Sequence, residues 1–256
     1  MSIAAHSWYM MIRHLRALGR QPWWIAITLT QPIIWLVLFG SVFKSAANIP
    51  GFGDDSYVDF FAPGVVIMTA FFSAGWGGMT MIEDMDRGVI DRFLATPVRL
   101  GALITGRTMQ GAVVIAIQSA IIVGLALLLG AGFSNGPLGV VGMILVASLL
   151  GTSVAALSNG LALVVRREET LIATINVLLF PLTFVSTAFM PEDLLPGWVQ
   201  TVADVNPLNW AVEAARISAS GDDWGTLAVY TGALLALALA CAAFATRAFR
   251  SYRASL

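Results

Sequence analysis

The ionisable side chains of this 256-residue chain are few, and their densest gathering runs from Glu83 to Arg99. There Glu83, Asp84, Asp86, Arg87, Asp91, Arg92 and Arg99 alternate in sign around a short apolar set, Ile90, Phe93 and Leu94, spaced for one side of a short helix. Pro97 disfavours helical geometry at Thr96 and so marks the end of that helix. Mixed charge around an apolar stripe is the chemistry of docking: such a helix is a rigid lever for a groove on another protein, and a loop held by local ion pairs is the alternative. A second pair, Glu213 and Arg216, is three residues apart and suited to pairing across one helical turn.

Other chemistries lack their residues. There is no Gly-x-x-x-x-Gly-Lys-Ser/Thr run to cradle ATP phosphates, and the sole lysine is Lys44. His6 and His14 are eight residues apart and make no familiar metal pair, and no apolar run holds a histidine that would activate a serine. No catalytic or metal-binding residue is expected, and the chain is not read as an enzyme.

These residues must be positioned by six long apolar runs without a charge, approximately 23–43, 60–82, 108–130, 138–165, 170–189 and 225–246. Each is about the twenty residues that an α-helix needs to cross a hydrocarbon core of roughly 30 Å. With 58% hydrophobic and 11% charged residues, the composition lies far outside the soluble norm. The expected fold is an all-α polytopic membrane protein of six transmembrane helices, with one membrane domain and no second soluble domain. The first run is preceded by about twenty residues and exceeds the 7 to 15 apolar residues of a secretory signal, so it is expected to be retained as a span. The single cysteine, Cys241, can form no internal disulfide.

Counted on alternate sides of those spans, Arg13, Arg16, Arg20, Arg87, Arg92, Arg99, Arg107, Arg166, Arg167, Arg247, Arg250 and Arg253 fall on one face, and only Lys44 and Arg216 on the other. The positive-inside rule then places both termini in the cytoplasm. A proton- or ion-coupled carrier keeps an ionisable group within the membrane, and none lies in these runs, so the energy is expected from a partner.

Residues 1–22 place Trp8, Met11, Ile12, Leu15 and Leu18 at helical spacing with arginines elsewhere around the wheel, the pattern of an amphipathic helix lying in the interface. On the outer side, Leu194, Leu195, Trp198, Val199 and Val202 make one short amphipathic stretch after Pro191 and around Pro196. A second starts at Asn206-Pro207, an N-cap followed by proline at the first helical position, with Leu208, Ala211, Val212 and Ala215 as its stripe. Two short helices at the outer interface are expected, either as anchors or as a lid over an exit path. Within the spans, Gln31, Gln118, Asn159 and Asn176 are expected to bond neighbouring helices or to line a weakly polar cavity, and Pro32 and Pro181 to interrupt helix hydrogen bonding.

Arg87-Gly-x-x-x-x-x-Leu94-Ala-Thr-Pro97-Val, followed by Arg107, resembles the inner loop of type-2 ABC exporter permeases of the daunorubicin-resistance kind. Phe189-Met-Pro191, Leu195-Pro196-x-Trp198, Asn206-Pro207-Leu208 and Glu213-Ala-Ala-Arg216 are similar to the outer loop of the same family. The resemblance covers nearly the whole chain. It implies an N-terminal helix at 1–22, a six-span transmembrane domain at 23–256, a coupling segment at 83–107 and an outer loop of short re-entrant helices at 190–224. It further implies that Asp86, Arg87, Gly88, Asp91, Arg92, Phe93, Leu94, Pro97 and Arg107 couple to a separate cytoplasmic ATPase, in two copies, which would hold the ATP and magnesium. In that family the second and fifth spans face the axis of a permease dimer. Phe71, Phe72, Trp76, Asn176 and Phe180 are therefore the candidate substrate path, with Pro196, Trp198, Asn206, Pro207, Glu213 and Arg216 as the candidate outer gate. The implied function is export of amphipathic drugs, antibiotics or lipids across a bacterial cytoplasmic membrane, as a homodimer or with a similar second permease. Polysaccharide or glycolipid export, a gradient-driven carrier and a membrane scaffold that binds an ATPase are the competing readings.

Overall fold

The computed structural model of the protein describes residues 22–43, 57–90 and 100–254, and the described residues are 86% helix, with no strand among them. The long helices are α1 (Pro22–Val42), α2 (Tyr57–Gly75), α3 (Gly77–Asp86), α4 (Leu100–Leu128), α5 (Gly136–Val165) and α6 (Glu168–Phe184). A 3-10 turn at Glu192–Leu194 then leads to the short helices α7 (Gly197–Ala203) and α8 (Pro207–Ser220), and α9 (Trp224–Ala254) closes the chain.

Among the described residues four stretches are long and apolar enough to cross a membrane: Tyr57–Asp86, Thr108–Leu128, Gly136–Val165 and Trp224–Ala254. The described residues thus make an all-helical, multi-pass bundle. The apolar part Ala26–Val42 of α1 and the 17-residue α6 are shorter. At 1.5 Å per residue α6 reaches only about 26 Å.

Two of the expected runs are divided differently by the structure. The run expected at 60–82 is not one helix: it breaks at Trp76 into α2 and α3. The run expected at 170–189 stops being helical at Phe184, three residues after Pro181, and the chain continues along α2 without regular helix through 185–190, Ala188 reaching Gly64 and Phe189 reaching Phe61. The freed carbonyls of Leu182 and Val185 there accept from Asn206 Nδ2 at 2.7 and 2.6 Å, so a side chain replaces the next turn of helix. Elsewhere the helices overrun the apolar runs, α4 starting at Leu100 and α9 continuing to Ala254. The expected interface helix at 1–22 lies, apart from Pro22, outside the described residues, as do Lys44 and the residues 91–99 of the expected lever.

α2 is the buried centre. Its window is 72% buried against 11% for α9, and Phe61, Ala62, Val65, Val66, Ile67 and Ala70 are wholly covered. α5 packs against α2, α4, α8 and α9. Close approach depends on small residues, because between helices in lipid the gain is van der Waals contact rather than the hydrophobic effect. A Cβ at Gly139 would lie 2.7 Å from the Ser218 carbonyl oxygen on α8, and one at Gly160 would lie 2.7 Å from the ring of Phe244 on α9.

The two ends of the bundle differ. One is closed by α8: Asp59, at the start of α2, accepts from the Gly132 amide at 2.6 Å, and Asn135 Nδ2 donates to the Ser218 carbonyl at 3.0 Å. At the other end, Arg166 lies 4.9 Å over the ring of Tyr252. At Gly64 a Cβ would stand 2.8 Å from the Ala188 carbonyl oxygen, which belongs to the non-helical 185–190 segment and has no flexible end to yield. Gly64→Ala is expected to cost about 1–3 kcal/mol. Gly111→Ala, where nothing lies within 4 Å, is expected to be neutral or to gain about 0.5–1 kcal/mol. Thermal midpoints of the two purified variants in one detergent check the contrast.

Candidate functional site

Three regions carry the residues singled out in the sequence. The first is the end of α3. Its last turn closes with the Arg87 amide bonded to the Glu83 carbonyl at 3.0 Å, and Gly88 follows at φ +62°, a left-handed conformation that redirects the chain without the steric cost a side chain would bring. Arg87 pairs with Glu83 at 3.6 Å, with both side chains largely in the open, so the pair adds little to stability. Asp86 sits beside them at the end of the helix. Asp91, Arg92, Phe93, Leu94 and Pro97 lie outside the described residues, and Arg107 is on α4 with its side chain outside them.

The second region is a lateral groove of about 110 Å³ between α1 and α2. Trp35, Phe72 and Trp76 supply its aromatic walls; Thr28, Gln31, Thr69 and Ser73 add a polar stripe, and among the described residues no charged one lines it. Pro32 on α1 also lines it. Behind the wall, Gln118 of α4 donates from Nε2 to Thr28 Oγ1 at 3.0 Å. The structure brings three of the expected path residues together: Phe71 and Phe72 meet edge to face at 6.0 Å, and Phe72 meets Phe180 of α6 at 5.4 Å. Phe71 itself is buried in the core, whereas Phe180 is 43% exposed. Asn176 is half-buried on the same helix, one turn before Phe180. Of the α1 residues of the groove, Gln31 was expected either to bond a neighbouring helix or to line a weakly polar cavity, whereas Thr28 and Trp35 carried no such expectation, since helical spacing does not say which span lies beside α2.

The third region is an ion-pair cluster at the α8 end. Asn206 caps α8, its Oδ1 accepting from the Leu208 amide at 3.0 Å, and Pro207 takes the first helical position. Leu208, Ala211, Val212 and Ala215 are all wholly buried, the stripe read from spacing. On the same helix Arg216 donates from Nη1 to Glu213 Oε1 at 2.7 Å and from Nη2 to the Thr187 carbonyl at 2.6 Å. The Thr187 hydroxyl accepts from Arg216 Nη1 at 3.1 Å, and its own proton is shared between Asn209 Oδ1 and Glu213 Oε1. The Thr187 amide donates to Asn209 Oδ1 at 2.9 Å.

Arg216 Nε has no hydrogen-bond partner, but the guanidinium carbon lies 3.8 Å over the Phe60 ring, a cation–π contact between α8 and α2. Burial pulls the Arg216 pKa down, and the Glu213 carboxylate opposes that pull. Asp223, at the exposed head of α9, is held below the usual carboxylate range by the Thr226 hydroxyl and amide and by the Gly225 amide.

Beside the cluster, Phe189 from the non-helical 185–190 segment lies about 6 Å from Trp35, Phe39, Phe61 and Phe184, tying α1, α2 and α6 to the α8 end. The other outer residues are placed apart from it. Pro196 precedes α7, and Trp198 is 67% exposed on α7. Thr187, Asn209 and Phe60 had no signal in the sequence beyond being uncharged residues in or beside apolar runs.

A pair this little exposed, 16% for the Arg216 side chain and 26% for Glu213, costs about 3–5 kcal/mol when one partner alone is removed, because the other charge stays buried. Arg216→Met and Glu213→Gln are expected to lower the thermal midpoint in detergent sharply, and the double variant Glu213→Leu with Arg216→Met to recover much of the loss. Additive losses in the double variant would show that the two side chains act separately.

The family description of the ABC-2 type transporter matches residues 6–219. The chain is 32% identical over 188 residues to the daunorubicin resistance ABC transporter permease protein DrrB1 of Streptomyces coeruleorubidus, an alignment covering 73% of this chain and 65% of that one. It is 31% identical over 210 residues to the putative transport permease ycf38 of Cyanophora paradoxa, covering 81% and 71% respectively. It is 22% identical over 190 residues to the probable doxorubicin resistance ABC transporter permease protein DrrC of Mycobacterium tuberculosis, covering 74% and 68%. The chain thus spans just under two thirds of the length of the first of these relatives.

Proposed function

The chain belongs to the ABC-2 type transporter family, and we propose that it is the membrane permease subunit of an ATP-driven exporter that moves amphipathic drugs, antibiotics or lipids. The observation that carries this reading is the separation of charge along the molecule. The lateral groove is aromatic, weakly polar and uncharged, which suits a solute entering from the bilayer and would penalise a highly charged one. The names of the relatives, two of them resistance permeases for anthracycline drugs, support the same class.

In this reading residues 83–107 take up motion from two copies of a cytoplasmic ATPase, which holds the ATP and magnesium, and both termini and the arginine-rich end face the cytoplasm. The α8 end then faces outward, and six spans are completed by α1 and α6. The Arg216–Glu213–Thr187 cluster holds α8 to the non-helical 185–190 segment, and the Phe60 contact holds it to α2. Opening the exit requires α8, with Pro196 and Trp198 before it, to move relative to α2. A second permease copy supplies the other wall of the path, facing Phe72, Trp76 and Phe180.

The test is co-purification of the tagged chain from its native membrane in mild detergent, with identification of bound proteins. A stoichiometric ATPase is expected, retained by wild type and lost or uncoupled in Arg87→Glu, Arg92→Glu and Phe93→Ala. Because Arg87 is exposed and its ion pair weak, Arg87→Glu should leave the thermal midpoint almost unmoved. Retention of a fully coupled ATPase by all three variants would remove this segment from the mechanism.

A further inference from the structure

The break between α2 and α3 has a feature that none of the roles above uses. In an unbroken helix the Met79 amide would bond to the Gly75 carbonyl and the Gly78 amide to the Ala74 carbonyl. Here the Met79 amide turns instead to the Trp76 carbonyl at 3.1 Å. Gly75 C=O and Gly78 N–H are left without those ladder partners inside a stretch apolar enough to span a membrane. A single side chain from another helix satisfies both: Ser158 of α5 donates its hydroxyl to the Gly75 carbonyl and accepts the Gly78 amide at 3.0 Å. Ser158 is completely buried.

Other hydroxyls and amides of α5 behave differently. Thr152, Ser153 and Asn159 each turn back to the carbonyl four residues earlier on their own helix. Ser158 alone of these four reaches across to α2 and α3. The approach is close: a Cβ at Gly78 would lie 2.6 Å from both the carbonyl oxygen and Oγ of Ser158, and one at Gly75 would lie 2.6 Å from Leu179 Cδ1 of α6. At Gly77 there is open space. The break also sits between two functional elements. Trp76 at its centre lines the groove, and α3 beyond it runs into residues 83–107.

We propose that the Gly75–Gly78 break is a hinge in the second span and that Ser158 is the positioning residue that latches it, setting how motion of α3 reaches Trp76 and the groove. One hydroxyl can hold the two broken-ladder groups only while α3 keeps its angle to α5, so rotation of α3 must release both bonds together. The inference rests on the reading that motion enters through residues 83–107.

Two measurements test it on the same preparations. Amide hydrogen exchange followed by mass spectrometry reports the latch without any partner. Ser158→Ala is expected to speed exchange in 77–86 about tenfold or more, as a buried donor and acceptor lose their shared partner, while 140–150 of α5 stays unchanged. Ser158→Cys, of similar size but a weaker hydrogen bonder, should fall between. Gly77→Ala, for which there is room, should slow exchange in the same segment, and it serves if Ser158→Ala fails to fold. In proteoliposomes with the co-purified ATPase, Ser158→Ala should keep ATP hydrolysis and lose most of the substrate moved per ATP. Unchanged exchange in both Ser158→Ala and Gly77→Ala, or faster exchange with normal transport per ATP, overturns the proposal. Failure of the exporter reading itself would look different: wild type would show no ATP-dependent transport at all.

Discussion

A backbone amide or carbonyl that leaves its helical ladder in hydrocarbon has no water to turn to, and the shape of this protein follows from how those few groups are satisfied. Two departures from regular helix matter most. At Gly75–Gly78 the ladder is bridged by Ser158 from α5. At the end of α6, Asn206 takes the Leu182 and Val185 carbonyls while its own Oδ1 caps α8. Each departure is thereby fixed by a side chain distant in sequence, so the two irregular points are also the points at which separate helices are locked together.

The same economy governs charge. Arg216 and Glu213 are drawn into the packed α8 end only because Thr187, Asn209 and Phe60 surround them with a hydrogen-bond network and an aromatic face. Isolated, either charge would be costly; together they bind α8, the non-helical 185–190 segment and α2 into one cap. Small residues along α5 then let α8 and α9 approach its backbone. α2 and then α3, both packed on α5, run from this cap to the turn at Gly88, which gives a packed route along the molecule.

Much of this was legible in the sequence, because its cause is local. Charge-free runs mark helices that must bury no ion. Asn206-Pro207 marks a helix start, the stripe Leu208, Ala211, Val212, Ala215 its buried face, and the Glu213, Arg216 spacing its ion pair; all three are present. The break at Trp76 was not legible. Gly75-Trp76-Gly77-Gly78 is apolar and was read as continuous helix, and the Ser158 that bridges the break is some eighty residues away. Likewise Pro181 signalled a disturbance in α6 but not that the chain would continue past Phe184 without helix, packed where Gly64 leaves room for Ala188. The partners of Arg216 were hidden for the same reason: nothing in the pattern around Thr187 or Phe60 refers to α8.

In the proposed function this bundle moves a solute only when ATP hydrolysis acts on its arginine-rich end. The decisive test is uptake of a fluorescent lipophilic cation into proteoliposomes holding the chain with its co-purified ATPase and, in parallel, the chain alone, with and without ATP and with an imposed ion gradient. Accumulation that requires both the ATPase and hydrolysable ATP is the result the proposed function predicts. Equal accumulation by the chain alone, driven by the gradient, would contradict it and make the protein a carrier.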